Sequence, residues 1–224
     1  MVTKVGLLQI ISKVWTACAI GLLGFATMAG GDVAANDRKL HIAAFGDSLT
    51  AGFGLPPGAD FASRLEAALV RNGHSVRVTN AGVSGDTTSG GLARFDWAVQ
   101  NDTDAVILEL GANDALRGIS PKIAHENLDK ILAKLATRKI PVLVAGMRAP
   151  ANWGADYEKD FNAIFDNLAK KYQALLYPFF LEGVFDRPKL KLADALHPNK
   201  AGVDEIVRRI LPSVEVLIER ARKR

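Results

Sequence analysis

The sequence predicts an α/β protein whose central parallel sheet, of about five strands, is covered by helices on both faces. Two observations carry this: short apolar runs alternate with longer amphipathic stretches, and no internal repeat or low-complexity tract interrupts them. A succession of βαβ units with right-handed crossovers has this form. The 224 residues, 49% of them hydrophobic, suffice for one well-cored domain.

Residues 1–35 stand apart. The segment "KVWTACAIGLLGFATMAGGDVAAND" is apolar, follows Lys4, begins at Lys13 and has no acid before Asp32. That is the layout of a secretory signal peptide, with Thr27-Met28-Ala29 or Val33-Ala34-Ala35 as cleavage sites. Two other readings exist: an uncleaved anchor, since Val5 to Gly31 carries only Lys13 as a charge, and a lipoprotein acylated at Cys18. The glycines and the lysine argue against the first, and the poor approach Trp15-Thr16-Ala17 against the second. Cleavage leaves a domain of residues 36–224, in the periplasm or secreted, without cysteine. The net charge then falls from +4 to +3, because two lysines and one aspartate are lost. So mild a charge gives no argument for nucleic acid, and the terminal "ERARKR" reads as a solvated helix end.

In chain order, the strands are expected at Leu40 to Phe45, Ser75 to Asn80, Ala105 to Leu110, Pro141 to Met147 and Ala174 to Phe180. The first, third and fourth are apolar enough to be central. After the first strand, "ADFASRLEAALVRNG" carries Phe61, Leu65, Ala68 and Leu69 at helical spacing and ends at Asn72-Gly73. In "SPKIAHENLDKILAKLATRK", Ser120 and Pro121 suit a helix start, and Ile123, Leu128, Ile131, Leu132 and Leu135 make the stripe. Two more helices are read in "ADYEKDFNAIFDNLAKKY" and "NKAGVDEIVRRILPSVEVLIERA", the last kinked or broken near Pro212.

Ligand sites in such sheets lie beyond the carboxyl ends of the strands. There the first strand runs into Gly46-Asp47-Ser48, the second into "NAGVSGDTTSGG", the third into "GANDALRG", and the last connection holds "DALHPN". A serine hydroxyl needs a base, usually histidine, held by a third group. His41 falls near the wrong end of the first strand, His74 in an Asn-Gly-His turn and His125 on a polar helix side. His197 follows Asp194 by three residues, a turn able to bring the carboxylate to Nδ1 and leave Nε2 for Ser48. Donors to an oxyanion are then sought in the Ser48 N–H, in Gly82, which permits close backbone approach, and in the Asn113 amide. Each has a bland reading too, as a turn glycine or a loop asparagine.

Gly46-Asp47-Ser48-Leu49, Gly82, Gly111-Ala112-Asn113-Asp114 and Asp194-Ala195-Leu196-His197 resemble, in order, the four blocks of the SGNH (GDSL) hydrolases. The resemblance covers nearly all of residues 40–212. It is strongest to the bacterial periplasmic thioesterase/lysophospholipase and arylesterase group, through "SGDTTSGGLARF", "LELGANDALRG", "RAPANWGADY" and "YPFFLEGV". Ala112 departs from it, where close relatives often carry glycine. The resemblance implies a flavodoxin-like, three-layer α/β/α fold and no metal or other cofactor. It further implies Ser48 as nucleophile, His197 as base, Asp194 as its orienter, and Ser48, Gly82 and Asn113 as the oxyanion hole. "GMRAPANWGADY" resembles the substrate-contacting loop of the thioesterase-like relatives, with Met147, Pro150 and Trp153 around Gly154. Leu116, Pro150 and Trp153 are thus expected to line an acyl pocket. A small-molecule acyl ester or thioester is the expected partner, with transient lipid contact and a monomeric state. A reading from another class is a non-catalytic flavodoxin-like module cradling phosphate in "VSGDTTSGG", although that loop lacks a P-loop lysine.

Overall fold

The computed structural model describes residues 38–224, so the expected leader, residues 1–35, lies outside the described residues. The five strands are β1 (Leu40–Gly46), β2 (Val76–Gly82), β3 (Ala105–Glu109), β4 (Val142–Ala145) and β5 (Leu175–Tyr177). All pairings are parallel, in the order β2-β1-β3-β4-β5. That is the flavodoxin-like doubly wound order, which reverses direction at β1 and leaves a crevice at the strand ends there.

Burial explains which strands are central. Every residue of β1, β3 and β4 is buried, whereas β2 at one edge alternates buried and exposed positions. Strands covered on both faces read as largely apolar runs, and these three do, with His41 in β1 and Glu109 at the end of β3 as the polar exceptions. The last strand is shorter than its apolar run, because Pro178 follows Tyr177 and has no N–H for the ladder.

Helices α1 (Ser48–Ala51) and α2 (Phe61–Arg71) follow β1; α3 (Thr88–Ala93) and α4 (Phe95–Ala98) follow β2. After β3 come α5 (Ala112–Leu116) and α6 (Pro121–Thr137), then α7 (Ala155–Tyr172) between β4 and β5, and α8 (Lys200–Arg222) at the end. The α2 and α8 helices pack together over one face of the sheet, and α3, α6 and α7 form the other layer. Two expectations change. Ile123 is exposed, because the buried stripe of α6 runs through Ala124, Leu128, Ile131 and Leu135, with Asn127 beside it bonded to the Thr88 and Ser89 hydroxyls. The last helix is not broken at Pro212, which lies on its exposed side, so the carbonyl one turn earlier can be hydrated.

Candidate active site

The strand β1 delivers Ser48 to the edge of the sheet. Asp47 caps α1 by accepting the Leu49 N–H at 3.0 Å, and the helix stops after one turn at Gly52, whose φ of 80° closes it. Ser48 thus stands at a helix start, only 9% exposed.

Its partner comes from the loop before α8. Asp194 Oδ1 accepts the N–H groups of Leu196 at 2.9 Å and His197 at 3.0 Å, and Ala195 between them adopts a left-handed φ of 57°. The loop is pinned on both sides: Leu192 N–H donates to His197 O at 2.8 Å, and the Asn199 side-chain oxygen caps α8 through Gly202 N–H at 3.0 Å. The result is a relay. Asp194 Oδ2 lies 2.7 Å from His197 Nδ1, and His197 Nε2 lies 2.9 Å from Ser48 Oγ. The hydrogen bonds from the His197 ring, then from the His197 and Leu196 amides, hold Asp194 down at about 2. The carboxylate is therefore ionised at neutral pH and requires a donor at Nδ1, which leaves Nε2 as the acceptor facing Ser48. The remaining histidines are elsewhere: His41 is buried against Thr79 and Asp102, His74 lies beside Glu215, and His125 is on α6.

Asn113 enters from the first turn of α5, after Gly111 at a φ of 119°. Its Nδ2 donates to Asp47 Oδ2 at 3.1 Å and to Asp86 O at 2.9 Å, which aims the amide across the Ser48 turn. Asp47 is wholly buried, and burial pushes its carboxyl up to about 6 against the lowering effect of the Leu49 and Asn113 hydrogen bonds.

Gly82 needs a correction. Its N–H donates to Asn80 Oδ1 at 3.0 Å, and a Cβ there would overlap the backbone of Ala51. It therefore allows α1 to pack on β2 and has no N–H to offer an oxyanion. The glycine that lines the same cavity as Ser48 and Asn113 is Gly85, at a φ of 84°. The N–H groups of Gly85 and Ser48 have no acceptor among the described residues.

These groups form the polar end of a cavity of about 520 Å³. Leu49, Phe53, Leu116, Met147, Pro150, Phe179, Leu181, Phe185 and Leu196 supply its apolar wall. Leu116 and Pro150 are among them, and Trp153 is not. Instead Trp153 Nε1 donates to Ala115 O at 2.7 Å, and its ring covers Gly118, where a Cβ would come within 2.8 Å. Trp153 thus braces α5 from outside the cavity, because its indole N–H finds a carbonyl acceptor there. Six wall residues went unread as such in the sequence: Leu49, Leu181 and Leu196, and the aromatics Phe53, whose ring centroid is 4.5 Å from that of His197, Phe179 and Phe185. For the aromatics the signals were a phenylalanine just past the Ser48 turn, the pair "FF" after the last strand and Phe185 five residues beyond that pair.

A doubly wound sheet with serine, histidine and aspartate in hydrogen-bonded series at its carboxyl edge defines a hydrolase constellation of the serine class. The chain belongs to the GDSL-like lipase/acylhydrolase family, whose model matches residues 44–204. It is 40% identical over 167 residues to an arylesterase of Vibrio mimicus, covering 74% of this chain and 84% of that protein. It is 36% identical over 156 residues to the thioesterase 1/protease 1/lysophospholipase L1 of Escherichia coli strain K12, covering 69% and 74% respectively. The crystal structure of AlinE4, an SGNH-hydrolase family esterase, is 49% identical with a TM-score of 0.68, over 80% of this chain and 96% of that one.

Proposed function

We propose that the protein is a serine esterase that hydrolyses carboxylic esters through an acyl-enzyme on Ser48. In this reading Ser48 Oγ attacks the ester carbonyl as its proton passes to His197 Nε2. The C–O bond breaks as the same proton passes to the departing alcohol, and the acyl group stays on Ser48. Water then gives its proton to Nε2 and attacks the acyl carbon; the carboxylic acid leaves and Ser48 recovers its proton. Asp194 keeps the imidazole in the required tautomer. The backbone N–H groups of Ser48 and Gly85, with the Asn113 amide, stabilise the oxyanion; Asn113 gives it an N–H in competition with Asp47 or Asp86.

The observation that carries the reading is the unbroken series Asp194, His197, Ser48, with contacts of 2.7 and 2.9 Å. The family and the names of its relatives support the same chemistry, and a non-catalytic phosphate-binding module is not favoured. An apolar cavity beside the nucleophile suits an acyl chain, so aryl esters, lysophospholipids and acyl thioesters are the substrate classes to test. We further read residues 1–35 as a signal peptide, giving an exported, monomeric enzyme in transient contact with lipid. Ser48→Ala should keep its Tm and lose roughly a thousandfold or more of nitrophenyl ester hydrolysis; near-normal turnover by that variant rejects the mechanism. N-terminal sequencing of the exported protein tests the leader.

A further inference from the structure

One buried ionisable group near Ser48 has no part in this scheme. Glu109 ends β3 directly opposite Gly46 in the parallel register, and it is wholly buried. Its Oε2 accepts the Thr50 hydroxyl at 2.7 Å and the Asp47 N–H at 3.2 Å. Those two residues lie on either side of Ser48. A Cβ on Gly46 would overlap both Thr50 Oγ1 and Glu109 Oε2, so the glycine leaves room for this contact. The other oxygen, Oε1, is buried without a hydrogen-bond partner.

We propose that Glu109 is the positioning residue of the nucleophile: as an uncharged carboxylic acid, it holds the Asp47-to-Thr50 turn, and hence Ser48 Oγ, through the Asp47 amide and the Thr50 hydroxyl. The proposal rests on the reading of Ser48 as nucleophile. Two donors converging on one oxygen, with the second oxygen bare, match the carbonyl and hydroxyl of a neutral acid. An ionised group would leave a bare charge in the interior beside the Asp47 carboxylate, which is far more unfavourable than an unbonded hydroxyl. Burial and the Asp47 charge both raise the Glu109 carboxyl well above the usual range. The Arg94 guanidinium, which reaches the carbonyl of Gly46 opposite Glu109, is taken by Asp86 and by the carbonyls of Ala81 and Gly46. Asp47, which receives the Leu49 and Asn113 donors, is the member of the pair placed to carry charge.

The test follows the rate at which a nitrophenyl phosphonate labels Ser48, together with kcat and KM for a nitrophenyl ester, in Glu109→Ala, Glu109→Gln and Thr50→Val. Loss of the clamp misplaces the nucleophile without touching the substrate wall. Labelling and kcat in Glu109→Ala and Thr50→Val should fall by roughly tenfold to a hundredfold with KM within about twofold. The double variant should be no slower than either single one. Glu109→Gln, uncharged and of the same shape, should restore most of the lost rate. Wild-type labelling in Glu109→Ala or Thr50→Val overturns the clamp, and a Gln variant as slow as Ala overturns the uncharged state. Where Glu109→Ala does not fold, the other two variants decide. Wild-type protein that phosphonate does not label would instead sink the serine esterase reading, leaving these outcomes distinct.

Discussion

The ring of Phe53 lies over the imidazole of His197, with centroids 4.5 Å apart and planes inclined by 36°. Phe53 is itself half exposed, so it shelters one side of the base from water while facing the cavity mouth. An aromatic face favours a cation by about 0.5–1 kcal/mol at such a site, and in the proposed mechanism an imidazolium develops as Ser48 attacks. Phe53→Leu should therefore lower kcat by roughly twofold to fivefold with the cavity wall preserved. Unchanged kcat in that variant would reduce Phe53 to a wall residue.

Asp194 and Asn113 should fail in different ways. Asp194→Asn keeps an oxygen for the Leu196 and His197 amides, so the turn and Tm should survive, but its amide presents a donor where Nδ1 also donates. The imidazole then takes the wrong tautomer, and kcat should drop by about ten-thousandfold. Asn113→Ala removes the amide proposed to stabilise the oxyanion and should reduce kcat by roughly a hundred- to a thousandfold with a smaller change in KM. A pure KM effect would make Asn113 a substrate contact.

Chain-length profiles separate Leu116 from Trp153. Leu116 lines the cavity and is 45% exposed, so Leu116→Ala should penalise longer acyl chains progressively, by up to about 0.8 kcal/mol for each methylene group left uncovered. Trp153→Ala should lower Tm by several degrees as α5 loses its brace, about 2–4 °C for each kcal/mol in a domain of this size. Its plot of kcat/KM against chain length should run parallel to that of the wild type. Convergence of the two curves at short chains would return Trp153 to the acyl wall.

Stability in acid should register Glu205. Its carboxylate takes two hydrogen bonds from Arg208 and one from Arg209, which hold it down at about 2 from an ordinary 4.5. A group lowered on folding stabilises above its unfolded pKa and loses that contribution as pH falls through the folded one. Glu205→Gln should thus lose about 1 kcal/mol at pH 7, a figure kept small because the arginines are solvated, and nothing near pH 2. Equal Tm losses at both pH values would assign the effect to packing.

Much of the fold was legible because burial on two faces leaves a plain mark: β4 is wholly apolar, and β1 and β3 are apolar but for His41 and Glu109. The short helices α3, α4 and α5 left no such mark, since one or two turns held by caps such as Thr87 carry too little periodicity. At the site, the clusters ending each strand could be read to one edge of the sheet. Which glycine faces Ser48 could not, because Gly82 and Gly85 differ in backbone conformation and in the partner of one N–H, neither of which has a pattern along the chain. Trp153 was ambiguous for a related reason. An aromatic in a loop can line a cavity or brace its rim, and only the position of the Ala115 carbonyl decides.

Ser48 and His197 are 149 positions apart, so every element from α2 to β5 lies within the loop that their contact closes. Long-range closures come late in folding, after local helices and neighbouring strand pairs have formed. A chain still emerging from its site of synthesis carries the Ser48 hydroxyl without the His197 imidazole beside it, and under the proposed mechanism it cannot turn over ester. During refolding, ester turnover should appear only after far-ultraviolet circular dichroism has largely recovered, which makes activity a clock for the docking of the last helix.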